Sequence, residues 1–247
     1  MAKKAGLGHR LYVGGSNLSG DVGSIDTASS PRGIVDDTGI DSSAMERLLT
    51  HQDGDLSWSG HFNDAVGQQH AILSALPRTD QIVSWLLGTT VGDASANLTA
   101  KQLNYDLSRP ADGSLSHTVQ TLGDGAPGIE WMTLLTAGEL QQTSAGSSAS
   151  RDDSASSSAG AAAVLQMNLI AGTSVTVVIE DSTNDSSWST LISFTTVSDG
   201  SEPTAERKTV SGTVNRYLRV TTTGTFSTGN FVVSIRRGED VDAVAYA

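Results

Sequence analysis

Residue types able to do chemistry are present in this chain, but their spacing gathers them nowhere. The five histidines, His9, His51, His61, His70 and His117, fall in no H-E-x-x-H or H-x-x-E-H arrangement. No helix turn would therefore offer a metal two imidazoles on one face. Cysteine is absent, which removes disulfides and thiolate metal sites together. There is no G-x-S-x-G elbow and no G-x-x-x-x-G-K phosphate loop, and Gly6-Leu-Gly8-His-Arg-Leu11 lacks the third glycine of a dinucleotide fingerprint. With 27 acidic residues a catalytic carboxylate pair can be assembled only in three dimensions, and spacing singles none out. Glu180-Asp181-Ser-Thr-Asn184-Asp185 offers several oxygens in six residues, yet it lacks the ligand spacing of a calcium loop and reads as a hairpin turn. Trp58, Trp85, Trp131 and Trp188 would make a sugar-stacking platform if exposed together, but three of them sit at apolar strand positions and read as core or interface aromatics. No catalytic, metal-binding or cofactor-binding residue is assigned, and the chain is read as a non-enzyme.

The elements that would position these groups are mainly strands. The 26 glycines, with many Ser, Thr and Asp, punctuate short apolar runs in the manner of turns between strands. Asp55 to Phe62 alternates, Leu56, Trp58 and Phe62 on one face and Ser57, Ser59 and His61 on the other. Asn63 reads as an N-cap and Asp64 suits a helix N-terminus, so a helix is expected over 64–75, with Val66, Ile72, Leu73 and Leu76 facing the sheet before Pro77 stops it. A shorter helix is expected over 44–49, since Ser43 and Glu46 match a capping box. Further strands are read at 10–13, 81–87, 96–105 and 115–121, with a bulge near Lys101 where the apolar parity changes. Pro110-Ala-Asp-Gly113 reads as the turn of an antiparallel hairpin.

Three segments break this rhythm. Residues 16–39 carry isolated apolar side chains, Leu18, Val22, Ile25, Ile34 and Val35, without a sustained period, and such a length is expected to be an assembly arm. Residues 143–163, rich in Ser, Ala and Gly, read as a linker or a loop ordered by a neighbour. Residues 238–247 read as a tail. Between them, strands at 164–171, 174–180, 188–197, 207–210, 217–223 and 231–236 are spaced as in a smaller antiparallel sandwich, immunoglobulin-like or jelly-roll. The organisation expected is thus a β domain over 1–142, the linker, and a C-terminal β-sandwich over 164–237.

Charge narrows the function. The net charge is −12, and the acids concentrate before residue 150, where 16 stand against 8 basic residues. Tight binding to nucleic-acid phosphates is disfavoured, because Lys and Arg drive it. No apolar run follows Lys3 and Lys4, so neither a secretory signal nor a membrane anchor is expected, and folding is expected in cytoplasm.

Several segments, taken as a series, resemble the major tail tube proteins of long-tailed phages, in the form common among phages of actinobacteria. They are Gly6-Leu-Gly-His-Arg-Leu-Tyr-Val-Gly-Gly15, Asn17-Leu-Ser-Gly-Asp-Val-Gly-Ser24, Asp53-Gly-Asp-Leu-Ser-Trp-Ser-Gly-His-Phe-Asn-Asp64, His70-Ala-Ile-Leu-Ser-Ala-Leu-Pro77 and Ala100-Lys-Gln-Leu-Asn-Tyr-Asp106. The resemblance covers roughly residues 6 to 140. It implies a β-sandwich or barrel with a flanking helix, stacked as hexameric rings whose inner sheets join into a tube for DNA. It also implies tape measure, tail terminator or baseplate proteins as partners, a place in the virion tail after assembly in the host cytoplasm, and an outer C-terminal domain. A DNA conduit must not hold DNA, and a net acidic chain suits that need. On this reading Ser116, Thr118 and Gln120 face the lumen, while Arg207, Lys208, Arg216, Arg219, Arg236 and Arg237 lie in the outer domain. The alternative from another class is a carbohydrate-binding adhesin or decoration module built on the C-terminal sandwich and Trp188. A capsid-associated protein and an unrecognised hydrolase stand behind it.

Overall fold

Alternating burial along Asp55–His61 shows how the sheet arises, with Leu56, Trp58 and Gly60 buried and Ser57, Ser59 and His61 turned outward. The computed structural model describes residues 5–125 and 127–238. Within them the chain is nearly all antiparallel β-structure. The first half contains β1 (Arg10–Val13), β2 (Ser16–Asn17), β3 (Val22–Ser29), β4 (Arg32–Asp36), β5 (Arg47–Gln52), β6 (Asp55–His61), α1 (Gln69–Leu73), β7 (Gln81–Leu86), β8 (Ala94–Gln102), β9 (Asp106–Ser108), β10 (Ser116–Gly123) and β11 (Glu130–Leu134). The second half adds β12 (Leu140–Gln142), β13 (Gly146–Ser147), β14 (Arg151–Asp152), β15 (Ala161–Ser182), β16 (Ser189–Ser193), β17 (Val197–Ser198), β18 (Thr204–Val210) and β19 (Tyr217–Arg237).

The N-terminal strands run in the order β2, β1, β7, β8, β10, β6, β3, with β9 beside the start of β10 and β11 beside the start of β8. One core collects on the buried face of this sheet, including Leu11, Leu18, Trp58, Leu73, Leu98 and Val119. The C-terminal half is organised by β15 and β19, which pair along their whole lengths. Segments β16, β17 and β18 follow one another along the free edge of β15, while β12, β13 and β14 follow one another along β19. A second core, including Leu165, Val177, Val220 and Phe231, fills this half. Strand β15 is interrupted at Gly172, whose φ of +143° and lack of a Cβ let the Phe226 backbone approach closely. The pairing register shifts on either side of it, as expected where a long ribbon must bend.

The two halves share a seam. Along Ala161–Met167 every residue is buried. Ala161, Ala163, Leu165 and Met167 enter the C-terminal core, while Ala162 and Val164 pack with Met132 and Ile82 of the N-terminal half. Gln166 completes that second face: its Oε1 accepts from the Gly15 amide at 2.7 Å, and its Nε2 donates to Ser84 Oγ at 2.8 Å. Behind the seam, buried Glu130 receives Arg207 Nε at 2.5 Å and Arg236 Nε at 2.9 Å, tying β11 to β18 and β19.

Several expectations change. The helix expected over 64–75 is confined to Gln69–Leu73. Asn63 caps only a turn, its Oδ1 accepting from the Ala65 amide, and Gly67 at φ +77° breaks the helical path. Leu73 is fully buried as expected, but Val66 is exposed and Leu76 half-exposed. No helix forms over 44–49, because Arg47–Gln52 pairs with Arg32–Asp36 as β5. The bulge expected near Lys101 is absent: β7 and β8 pair without a register shift, and the parity changes because β8 ends at Gln102. The run 143–163 is not a free linker, since Gly146–Ser147 and Arg151–Asp152 pair with β19 and Ala161–Ala163 are fully buried. Its small side chains suit an edge laid against a neighbouring strand. The strands expected at 164–171 and 174–180 are one strand of 22 residues, and those at 217–223 and 231–236 are one of 21. Apart from Gly238, the expected tail lies outside the described residues.

Candidate channel face and assembly surface

Strands β3, β6, β10 and β9 lie side by side and turn one polar face outward. Ser116, Thr118 and Gln120 stand opposite His61, Ser59 and Ser57, and Ser59 and Ser57 stand opposite Ser24 and Thr27. On the other flank Ser116 and Thr118 meet Ser108 and Asp106. His117, Val119 and Thr121, of the other parity, are buried. The three residues expected to face a lumen therefore share one solvent-facing surface.

Hydrogen bonds knit this surface together. Ser24 Oγ lies 2.8 Å from Ser59 Oγ and donates to Asp26 Oδ1 at 2.6 Å, while Gln120 Nε2 donates to Asp55 Oδ2 at 3.0 Å. None of the four strands contains a lysine or arginine, and Asp26, Asp55 and Asp106 supply negative charge. Phosphate would find hydroxyls it shares with water and carboxylates that repel it. This four-strand patch is bounded by two open edges: among the described residues β3 pairs only with β6, and β9 only with β10. Unpaired N–H and C=O groups on such edges are templates for another strand.

The segment expected to be an assembly arm divides in two. Leu18 is fully buried, and Val22 and Ile25 pack against the N-terminal core, so these three hold the subunit together. Ile34 and Val35 are exposed on β4, which forms with β5 a two-stranded hairpin separate from the main sheet. Ile34 opposes Leu49 and Val35 opposes Leu48, so neighbouring apolar pairs point to opposite faces. All four side chains are about half exposed or more, and Ile40 and Met45 at the tip are exposed as well. A two-stranded hairpin is marginal alone in water, and this one carries apolar groups on both sides. Leu48, Leu49 and Met45 escaped the sequence reading because the capping-box signal assigned them to a helix. Glu46 is instead met by the preceding serine, Ser42 Oγ donating to its Oε1 at 3.0 Å.

Behind the polar face runs a chain of rings that sequence spacing could not reveal. Phe62, His70, Tyr105 and His117 stack in succession, with centroids 4.9, 5.7 and 5.4 Å apart. His117 is fully buried and neither ring nitrogen meets a protein partner. Burial lowers its pKa, partly opposed by the Asp21 charge and reinforced by His61.

The tryptophans do not converge on a sugar platform. Trp58 is buried, Trp85 meets His9 edge-on, Trp131 is exposed on β11, and Trp188 is covered by the Arg219 guanidinium at 4.1 Å. The cations expected in the C-terminal half do lie on its strands or the loop before β19, and each is held by a carboxylate: Arg207 and Arg236 by Glu130, Lys208 by Glu206, Arg216 by Asp152, Arg219 by Glu180, Arg237 by Asp153. Asp152 is lowered to about 2 chiefly by its hydrogen bonds from Arg216. The Glu180–Asp185 run ends β15 and enters the turn to β16, with Asn184 Oδ1 accepting from the amides of Ser186 and Ser187. Among the described residues no group of three or more His, Asp and Glu comes close enough together to hold a metal ion.

No family model matches the chain, and no curated protein matches it in sequence. Among solved structures it is similar to a chain from the virion of a native gene transfer agent particle, with a TM-score of 0.42 and 14% identity over 52% of this chain and 99% of that one. It is also similar to the SPP1 Dit protein, described as a hub adsorption apparatus of phages infecting Gram-positive bacteria, with a TM-score of 0.32 and 10% identity over 92% and 98% of the two chains. A third likeness is to the phage p2 baseplate in its activated conformation, with a TM-score of 0.33 and 7% identity over 94% and 99%. At these TM-scores the likenesses do not establish a family.

Proposed function

We propose that this chain is a structural subunit of a phage tail, and more finely that copies of it join into rings, six to a ring, stacked as a tube through which DNA passes. The observation that carries the reading is the cation-free polar face of β3, β6, β9 and β10, bounded by two open strand edges. Joining the β3 edge of one copy to the β9 edge of the next would be a heterologous contact, which closes into a ring when the rotation per subunit is right. The shared face would then line a continuous wall of hydroxyls and carboxylates. Charge need not lie on every strand, since the potential of a ring sums over its subunits within a Debye length of ~8–10 Å. The β4–β5 arm, apolar on both faces, would insert between other copies and link rings. Tape measure, terminator and baseplate proteins would meet the ends of such a tube, placing the chain in the virion after assembly in the host.

Negative-stain electron microscopy of the purified full chain tests this. Rings or tubes are expected, with the tube wall thinned or lost when residues 33–49 are replaced by a short Gly-Ser turn. A chain that stays monomeric at every concentration and salt would remove the tube reading. Glycan binding by such a monomer would favour the decoration module instead.

A further inference from the structure

We infer that the tip of the β4–β5 arm seats in a groove beside Trp131 on a second copy of this chain. This rests on the reading that copies assemble, and adds where the arm lands. The groove has a volume of about 500 Å³ and lies where β8, β11 and β19 meet at the seam. Its floor includes Trp131, 54% exposed on a strand whose neighbours Met132 and Glu130 are buried. A large aromatic left open on an otherwise rigid strand is the kind of anchor that dominates protein–protein contacts.

The groove's wall is basic. Arg151 and Arg237 share the Asp153 carboxylate, at 2.7 and 3.0 Å, and Arg236 shares Glu130 with Arg207. Of these, Arg151, Arg236 and Arg237 line the groove together with Asp153. The same pairs fix those guanidiniums in place, so a ligand would meet a preorganised positive surface.

The arm tip has the opposite character. From Asp36 at the end of β4 to Glu46 just before β5 the chain carries Asp36, Asp37, Asp41 and Glu46 with no lysine or arginine until Arg47, and in their midst Ile40 and Met45 are exposed. Acids flank two apolar side chains, as arginines flank the indole of Trp131. The tip is also held in shape, with Thr38 Oγ1 accepting from the Glu46 amide at 2.9 Å and the Asp37 amide donating to the Glu46 carbonyl at 3.0 Å. A tip that fits a different face of the same molecule makes a heterologous contact, which passes from copy to copy into a ring or a longer assembly unless two copies exchange arms reciprocally.

The absence of cysteine in the native chain makes a clean test possible. In the full-length Ile40→Cys/Ala94→Cys variant, assembled and then mildly oxidised, a ladder of disulfide-linked multimers is expected on a non-reducing gel, and each single variant should give no ladder. Trp131→Ala, at an exposed site, should keep the wild-type circular dichroism and melting temperature yet raise the critical concentration for assembly by about tenfold or more. Assembly without a ladder, seen in the same micrographs, would overturn the docking site and leave the tube reading standing. A fast-migrating intramolecular disulfide, or a ladder that appears only after residues 239–247 are removed, would assign the groove to the chain's own arm or to that segment and overturn the proposal too. Wild-type chains that never assemble would instead sink the underlying function.

Discussion

Strand β10 buries one parity and leaves the other wet, whereas the first seven residues of β15 bury both. The difference follows from what each strand must meet. One face of β10 packs on a core and the other, carrying Ser116, Thr118 and Gln120, meets solvent, so its sequence alternates. The start of β15 has a core on each side, so its sequence Ala-Ala-Ala-Val-Leu-Gln-Met contains no solvent-facing position. In the first region, residues on the open face are free to be chosen for what passes over them. In the second they are constrained by packing, and polar groups enter only with partners, as Gln166 and Glu130 do.

That contrast predicts its largest effect at the seam. Glu130→Ala would leave two partly buried arginines without their shared carboxylate and should cost about 3–5 kcal/mol in denaturant unfolding. A cost below 1 kcal/mol would mean the seam is not dry. Leu73→Ala, under the N-terminal sheet, should cost about 2–5 kcal/mol by removing fully buried methyl groups from the core that supports the polar face. If its denaturation midpoint matched wild type, the short helix α1 would not be part of that core.

A smaller effect should appear in pH. His117 in the folded chain titrates below the ordinary histidine value because burial disfavours its charged form. At neutral pH both folded and unfolded chains hold it neutral and no penalty exists. As pH falls through the ordinary value of 6.5, the unfolded chain takes the proton first, so stability declines until the lower folded value is reached and is flat beyond. Asp21, His61 and Tyr105 act on this ring, with His70 beyond Tyr105, so the comparison must be with His117→Phe, which keeps the ring stack. The melting temperature of that variant should fall less than wild type between pH 7 and pH 5, and parallel curves would refute the account.

The smallest effect on folding belongs to the wet face. Ser59→Lys with Thr118→Lys, both on solvent-facing positions but opposite each other across the strands, should lower stability by no more than about 1 kcal/mol. Tubes carrying the pair should nevertheless retain DNA in a salt-dependent way, measured by co-sedimentation, where wild-type tubes release it. Equal retention by both would remove the electrostatic reason for a cation-free face.

Legibility in the sequence followed the same divide. The alternation at Leu56, Trp58 and Ser57, Ser59 was readable because one face of β6 is wet. The hairpin turn at Pro110–Gly113 was readable from local chemistry, and Gly113 bonds Pro110 as such a turn requires. The β4–β5 hairpin was not, because Ile34 and Val35 are adjacent and point to opposite faces, which erases any period. The extent of α1 was misjudged because apolar spacing cannot see that Gly67 takes a positive φ. The Ser, Ala and Gly run over 143–163 resembled a linker because low complexity is also what a closely fitted edge demands. Of the candidate surface, Ser116, Thr118 and Gln120 share the polar parity of their strand, whereas Leu18, Val22, Ile25, Ile34 and Val35 look alike in the sequence and are separated only by the fold, because a lone apolar residue in a polar stretch carries no signal of its depth.

Because Ala161–Met167 belongs to two cores at once, neither half can melt while the other survives. Losing the C-terminal core would bare Ala162, Val164 and Gln166 to water and strip the N-terminal half of one wall. The two halves are therefore expected to unfold together despite their two cores, and differential scanning calorimetry should record one transition whose van't Hoff and calorimetric enthalpies agree.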